Sequence, residues 1–186
     1  MPQKSDTLAL VERAKRYEHQ ALAELCELYY RDIYSYIYYR VSNVQDAEDL
    51  TDDVFLKMVE AIHSCRARAE KSFLAWLFRI ANNSVVDHHR RQAVRDHLPL
   101  DEKYLPGHAG PEAPVETKLT QERLQKAIPK LTDDQQQVII LRFVEGLSNA
   151  EIAQLLGKSE GAIKSLQHRG LASLRRILEE GGGDSA

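Results

Sequence analysis

Hydrogen-bond donors cluster in the stretch SEGAIKSLQHRG, which spans residues 159–170. A helix over this stretch would carry an apolar stripe that begins at Ile163 and Leu166, and on its opposite side Lys164, Ser165, His168 and Arg169. Lysine and arginine can donate to guanine O6 and N7, while serine and backbone N–H groups near a helix start suit phosphates. The spacing therefore favours a helix that binds in a DNA groove, although any amphipathic helix also has a polar face.

The residues before this stretch predict how it is positioned. Ser148 and Glu151 have the spacing of a capping box, which starts a helix over 149–156. Gly157 suits the left-handed residue that ends that helix, and Ser159 can cap the next one. Two helices joined by a short glycine turn form a helix-turn-helix pattern. Small residues are expected where the two helices cross, namely Ala153, Gly161 and Ala162.

A second cluster is acidic. Residues 46–53 (DAEDLTDD) hold five carboxylates and no base, namely Asp46, Glu48, Asp49, Asp52 and Asp53. Carboxylates near a helix N-terminus interact favourably with its dipole, but five exceed what capping needs. The cluster therefore indicates a charged binding surface on a helix that continues through Val54, Phe55 and Met58. Thr51 lies within it and is predicted to be on the helix surface, where it would be open to modification.

A third set combines amides, a carboxylate and arginines. A helix predicted from Ser72 as N-cap to Arg95 carries Asn82, Asn83, Asp87, Arg90 and Arg91 beside an apolar face. Amides and carboxylates can contact exposed base edges, and arginines can hold a nucleic-acid backbone. The preceding polar segment 63–71 offers Arg66, Arg68 and Lys71 for phosphates, or it is a solvated loop. Phe73 and Trp76 could stack on bases, but their spacing favours the core.

Composition limits the remaining possibilities. The chain is 43% hydrophobic and 28% charged with a net charge of −3, which fits a globular protein with local rather than global basic patches. We expect no membrane insertion, because no apolar run reaches the roughly 18–20 residues of a span. The sequence start lacks a secretory signal, and two cysteines indicate a reducing cytoplasm. His63 and Cys65 lack a second ligand pair, so we assign no metal and no cofactor.

Helical periodicity covers the chain except for 99–114, which contains four of the six prolines. We therefore predict an all-α protein with two small helical domains, residues 5–95 and 117–180, joined by a flexible linker over 96–116. The last six residues, GGGDSA, are expected to be disordered.

Two long segments carry a resemblance to a known family. Residues 131–178 (LTDDQQQVII to LRRIL) look like region four of bacterial sigma factors, and DAEDLTDDVFLKM with SFLAWLFRIANNSVVDHHRR look like region two. Their order, with no domain between them, resembles the extracytoplasmic-function (ECF) group. The resemblance implies a subunit that binds RNA polymerase core and directs it to promoters. It also implies control by an anti-sigma factor.

The resemblance assigns a role to each cluster. Duplex binding at the minus-thirty-five element falls to Ser159, Glu160, Lys164, Ser165, His168 and Arg169. Trapping of the separated minus-ten strand falls to Arg66, Arg68, Lys71, Asn82, Asn83, Asp87, Arg90 and Arg91. Docking on the clamp of the largest polymerase subunit falls to Asp46, Glu48, Asp49, Asp52, Asp53, Phe55 and Met58.

Departures from the family's pattern leave the promoter sequence open. Asn82 stands where the family often carries arginine, and Leu166-Gln167 replaces a commoner basic-then-apolar pair. A stand-alone DNA-binding regulator remains the alternative, and it would shift duplex DNA without polymerase. An enzyme is not expected, because the chain has neither a P-loop nor a nucleophile elbow and needs no small-molecule substrate.

Overall fold

The structure, a computed structural model, describes residues 6–41, 43–95 and 115–180, with only the backbone described for 95 and 115–119. The predicted linker lies almost wholly outside these residues, as does the C-terminal GGGDSA. The described residues form eight α-helices: α1 Thr7–Ala14, α2 His19–Tyr38, α3 Val44–Ala61, α4 Glu70–Arg95, α5 Val115–Ala127, α6 Asp133–Phe143, α7 Asn149–Leu156 and α8 Glu160–Glu180. Short 3-10 helices at Ile62–Ser64 and Ile128–Lys130 complete them.

The predicted all-α fold is confirmed, since no residue in the described ranges forms a strand. Contacts divide the described chain into two compact units. One contains residues 6–37 and 45–95, and the other contains 38–44 and 115–180. None of the described helices is both long enough and apolar enough to cross a membrane.

The core of the first unit follows the predicted periodicity. On α2 the buried residues include Leu25, Tyr29, Ile33 and Ile37, and on α3 they include Ala47, Leu50, Val54 and Met58. Aromatic pairs join α2 to α4, with ring centroids 5.3 Å apart for Tyr29 and Phe73 and 5.1 Å apart for Tyr36 and Phe78. Such tilted pairs contribute about 0.5–1.5 kcal/mol beyond the area they bury. They fix the helix that carries the amide and arginine set.

The start of α4 differs from the prediction. The helix begins at Glu70 rather than after Ser72, so Ser72 is its third residue instead of its N-cap. Its Oγ accepts hydrogen bonds from the backbone N–H groups of Arg68 and Ala69, each at 3.0 Å. This is the back-reaching half of a capping box, which satisfies donors that a helix start would otherwise leave unpaired. In the sequence, a serine at the third position of a helix looks the same as a serine at the N-cap, which is why the predicted helix start was wrong.

The second unit begins its helices where capping predicts. The backbone N–H of Thr132 donates to Gln135 Oε1 at 3.3 Å, and α6 starts at the next residue. α5 starts at Val115, and α6 ends at Phe143. Gly146, with a φ of +71°, follows as expected for a glycine that ends a helix.

Candidate functional site

The α7–turn–α8 segment has the geometry that the capping residues predict. The backbone N–H of Ser148 donates to Glu151 Oε2 at 2.8 Å, and the N–H of Glu151 donates back to Ser148 Oγ at 3.3 Å. Gly157 ends α7 in the left-handed region with a φ of +64°, and the next N–H, of Lys158, donates to the Ala153 carbonyl at 3.0 Å. Ser159 Oγ then accepts from the N–H of Ala162 at 3.2 Å. The turn is thus hydrogen-bonded at both ends, which fixes where α8 starts.

α8 has one buried side and one exposed side. Ile163, Leu166, Gly170 and Leu174 are buried. All six residues predicted to contact duplex DNA are exposed: Ser159, Glu160, Lys164, Ser165, His168 and Arg169. Ala172 and Arg176, further along α8, are also exposed. The structure therefore places the whole predicted set on one accessible helix face.

The close helix crossing lies at a different glycine from the one predicted. Gly161 is exposed, and a Cβ added there would come no nearer than 4.0 Å to another heavy atom, Ser159 Oγ. At Gly170 a Cβ would lie 3.0 Å from Ile139 Cγ1, on α6. α8 therefore comes close to α6 at Gly170, whereas Gly161 is not at a tight helix contact. Gly170 lies on the buried side of α8, and the sequence alone did not show that its missing side chain matters.

The predicted strand-binding residues of α4 are largely accessible. Asn83, Asp87, Arg90 and Arg91 are exposed, whereas Asn82 is half-buried and its Oδ1 lies 3.5 Å from the Tyr36 hydroxyl that donates to it. Asp87 Oδ1 is 3.8 Å from Arg90 Nη1, and Arg91 Nε donates to the Asp87 carbonyl at 3.3 Å. The exposed set holds both cations and an acceptor, and Asn82 stands behind it.

The segment before α4 presents its basic residues outward. Arg66 and Arg68 in this segment are exposed, as is Lys71, the second residue of α4, while Cys65 is buried. Burial raises the pKa of the Cys65 thiol, which keeps it protonated at neutral pH. Phe73 is fully buried and Trp76 is half-buried, so core packing is the better description of the former. No group of three or more potential ligands in the described ranges could hold a metal ion.

On α3 the acidic cluster divides in two. Glu48, Asp49 and Asp52 are exposed, whereas Asp46 and Asp53 are half-buried with side-chain partners. Gln92 Nε2 donates to Asp46 Oδ2 at 3.4 Å, and Lys57 Nζ lies 3.1 Å from Asp53 Oδ2. Three of the five predicted docking carboxylates are therefore open to a partner, and two face partners within the unit.

The apolar docking residues predicted on α3 need correction. Phe55 is 7% exposed and Met58 is fully buried, so both pack in the core and neither side chain is open to a partner. Leu56, by contrast, is 63% exposed. It follows Asp49, Asp52 and Asp53 at helical spacing, on their side of α3. Sequence analysis missed it, although an apolar residue in phase with the acids was the available signal.

Thr51 also differs from the prediction. It is fully buried rather than on the helix surface, and its Oγ1 donates to the Ala47 carbonyl at 2.6 Å. A buried hydroxyl bonded one turn back in its own helix is satisfied locally. The acidic stretch therefore offers no accessible hydroxyl at this position.

Aromatic rings extend the acidic face onto α2, which sequence analysis did not predict. The Tyr30 ring stacks against Phe55, with centroids 5.9 Å apart, and against Tyr34, with centroids 6.2 Å apart. Partial burial raises the pKa of the Tyr30 phenol, and the carboxylates of Asp52 and Glu48 raise it further. Tyr30 is nevertheless exposed, so it adjoins the acidic face as a neutral hydroxyl on an apolar ring.

Two family descriptions match the chain: Sigma-70 region 2 over residues 25–95 and Sigma-70, region 4 over residues 121–174. A relative that is 38% identical over 175 residues is the ECF RNA polymerase sigma factor BldN of Streptomyces coelicolor; the match covers 93% of this chain and 66% of BldN. The ECF sigma factor SigX of Bacillus subtilis is 31% identical over 166 residues, with 83% and 82% covered. SigW of the same organism is 28% identical over 180 residues, with 91% and 95% covered.

Solved structures share the fold. CnrH, in complex with the cytosolic domain of CnrY, is similar with a TM-score of 0.70 and 22% identity, covering 95% of this chain and 98% of that one. The sigma factor RpoE of Bartonella quintana, in complex with the anti-sigma factor NepR, is similar with a TM-score of 0.66 and 24% identity, covering 84% and 96%.

Proposed function

The chain belongs to the extracytoplasmic-function (ECF) group of RNA polymerase sigma factors, and we propose how its exposed surfaces divide the work of promoter recognition. As a member of that group it binds RNA polymerase core and directs transcription initiation at promoters. The observation that supports the division is that most polar residues of each predicted set are exposed, on α8, on α4 with the segment before it, and on α3.

We assign duplex binding to α8. Its buried apolar side holds it to the second unit, which leaves Lys164, Ser165, His168 and Arg169 to enter the major groove at the minus-thirty-five element. Ser159 and Glu160 lie at the first turn, where unpaired backbone N–H groups favour a phosphate. The exposed cations supply the attraction to the DNA backbone that a net charge of −3 does not.

Strand capture is assigned to α4 and the segment before it. Asn83 and Asp87 present an amide and a carboxylate to unstacked bases, and the exposed arginines Arg90 and Arg91 hold the backbone. Arg66 and Arg68 before this helix, and Lys71 in its first turn, add positive charge. Contacts made only with the separated strand favour the melted promoter, because binding energy then lowers the free energy of the open state alone.

Docking on the polymerase clamp is assigned to the exposed face of α3. Glu48, Asp49 and Asp52 supply the negative charge, and Leu56 supplies an exposed apolar contact one turn after Asp52. An exposed apolar residue surrounded by charge is the usual composition of a protein interface, with a hydrophobic centre and a polar rim. Asp46 and Asp53 contribute charge to this region but direct their side chains to partners in their own unit.

Further properties follow from family membership. RpoE has been solved in complex with an anti-sigma factor, and we propose that this chain likewise binds an anti-sigma factor, which would hold it inactive. We propose that it acts in the cytoplasm, where RNA polymerase works, and that it has no catalytic activity of its own. The domain boundaries 5–95 and 117–180 and the linker 96–116 also stay proposals, in which the linker lets the domains contact two promoter elements.

Transcription with purified core polymerase on a promoter library tests the proposed function. The chain should form a complex with core and yield transcripts from a subset of promoters, whereas the chain alone should not shift promoter duplexes at the same concentration. If no complex and no transcript form while the chain alone shifts duplex DNA, it is a stand-alone regulator instead.

A further inference from the structure

Three polar residues of α4 face α3 at intervals of one helical turn. Ser84, His88 and Gln92 are spaced by four residues, and each has a polar atom near a side chain of α3. Residues four apart share a helix face, so the three form a stripe along α4. We call the stripe and its α3 partners, Asp46 and Lys57, the polar seam. It lies wholly within the first unit.

One end of the polar seam is a lysine bridge. Lys57 Nζ donates to Ser84 Oγ at 2.9 Å and lies 3.1 Å from Asp53 Oδ2. Ser84 is fully buried, so its hydroxyl has no access to water as a substitute partner. Asp53 keeps the ammonium in place one turn away on the same helix. The lysine thus joins the acidic helix to the centre of α4.

The other end is a shared carboxylate. Asp46 Oδ2 accepts from Gln92 Nε2 at 3.4 Å and lies 3.3 Å from His88 Nε2, an ion-pair distance without hydrogen-bond geometry. Both His88 and Asp46 are largely covered, with 17% and 27% of their side chains exposed. Asp46 therefore connects two turns of α4 at the N-terminal end of α3.

The polar seam adjoins the strand-binding residues in register. Ser84, His88 and Gln92 each directly follow a residue assigned to the promoter strand, namely Asn83, Asp87 and Arg91. Successive residues on an α-helix are about 100° apart around its axis. Fixing the rotation of α4 against α3 therefore fixes the direction in which the strand-binding residues point.

We propose that the polar seam positions α4 for promoter opening, with Lys57, Asp46, Ser84, His88 and Gln92 as positioning residues that contact neither DNA nor polymerase. The proposal rests on the proposed function and adds to it a structural link between docking on polymerase and capture of the promoter strand. The same helix, α3, carries the docking acids on its exposed face and the half-buried seam partners on the side that contacts α4. Hydrogen bonds are directional, so the bonds from Lys57 to Ser84 and from Gln92 to Asp46 specify a rotation that apolar packing alone leaves less defined.

The test compares Lys57→Met and Gln92→Leu with Asp49→Asn, an exposed acid of the same helix, as the matched control. Three quantities are measured for the full chain: its melting temperature, its affinity for core, and promoter opening at saturating core by 2-aminopurine fluorescence in the minus-ten region. Each seam variant should lower the equilibrium constant for opening by about three- to tenfold while core affinity stays within about twofold, the range expected for loss of one oriented polar contact. Asp49→Asn should lower the affinity for core while leaving the equilibrium constant for opening unchanged.

Lys57→Arg should open promoters as the wild type does, because its guanidinium group can bridge Ser84 and Asp53 in place of the lysine ammonium. Opening unchanged in the seam variants would overturn the proposal while leaving the proposed function intact. A parallel fall in melting temperature, core affinity and opening would overturn it too, by showing a purely structural role. If the unaltered chain opens no promoter with core, the proposed function itself fails, which the wild-type measurement reports separately.

Discussion

The two helices assigned to DNA, α8 and α4, are held in place by different means. α8 rests on an apolar back of Ile163, Leu166 and Leu174, and every polar residue predicted on its outer face is exposed. α4 rests partly on aromatic pairs and partly on the polar seam, so some of its polar residues form hydrogen bonds to α3. A polar residue on an amphipathic helix is therefore a good candidate for binding DNA only where the helix packs on its own domain through apolar residues alone.

The difference also has an energetic side. Apolar burial is non-directional and depends on the area removed from water, so α8 is stabilised mainly by contact area and shape. Polar groups at a helix interface cost free energy unless each finds a partner, so α4 depends on particular pairs. Four substitutions, taken from the largest expected effect to the smallest, test this contrast.

Ile163→Ala should give the largest loss. Ile163 is fully buried on the back of α8, and removing its side chain leaves a cavity that costs about 2–5 kcal/mol. Urea denaturation followed by circular dichroism measures this loss. The neighbouring Lys164→Ala serves as the control, and it should change stability by less than about 0.5 kcal/mol because it is exposed. Equal losses from both would contradict the division of α8 into a structural and a binding side.

Tyr29→Phe should remove an alkaline destabilisation in the first unit. Burial raises the pKa of Tyr29 to about 12, although the hydroxyl of Thr7, 2.7 Å away, opposes this. The unfolded phenol ionises near pH 10 while the folded one stays neutral, so stability is fully present below pH 10 and falls as pH rises to about 12, by roughly 2–3 kcal/mol.

Fluorescence of Trp76, the only tryptophan, reports this unit in urea titrations at pH 9 and pH 11. Between pH 9 and pH 11 the free energy of unfolding should fall more in the wild type than in Tyr29→Phe. An identical pH dependence in the two proteins would show that Tyr29 ionises freely in the fold.

Gly170→Val should destabilise the α6–α8 contact by about 2 kcal/mol, because the added atoms meet Ile139 and overpack a tight site. Gly161→Ala is the matched control on the same helix. It should be neutral or slightly stabilising, since nothing lies within 4.0 Å of the new Cβ except Ser159 Oγ at that distance. Thermal melting of the two variants checks the ranking. A larger loss at Gly161 would restore the α7–α8 crossing that the sequence suggested.

Ser148→Ala should cost about 1 kcal/mol, the smallest of the four effects, by removing the oxygen that accepts from Glu151 N–H. Ser148→Asp keeps an acceptor at this position and should retain most of the stability. Urea denaturation of both variants measures the difference. Equal stability of Ser148→Ala and wild type would mean that α7 is held by its buried Ile152 and Ala153 alone.

Much of the architecture could be predicted from the sequence because its determinants are local. Capping pairs such as Ser148 with Glu151, and the left-handed Gly157, fix helix ends within a few residues of chain. The exposed face of α8 followed from helical periodicity for the same reason.

What could not be predicted depended on contacts between distant residues. Whether Gly161 or Gly170 meets another helix depends on Ile139, more than twenty residues away in sequence. Phe55 and Met58 have the residue types of an anchor, but the packing of α3 turns them inward and Leu56 outward. Asp46 looks like Asp49 in sequence, and only the position of α4, whose Gln92 contacts Asp46, separates the two.

The division of labour between α3 and α8 is tested most directly by the affinity of the chain for polymerase core. We compare Asp49→Lys/Asp52→Lys with Lys164→Ala/Arg169→Ala, by fluorescence anisotropy of the labelled full chain. The account predicts that the charge reversal on α3 weakens core binding by at least about tenfold, since close charge pairs at interfaces couple by more than 1.4 kcal/mol. The α8 variant should bind core like wild type. Core binding that survives the charge reversal and is lost in the α8 variant would contradict the account.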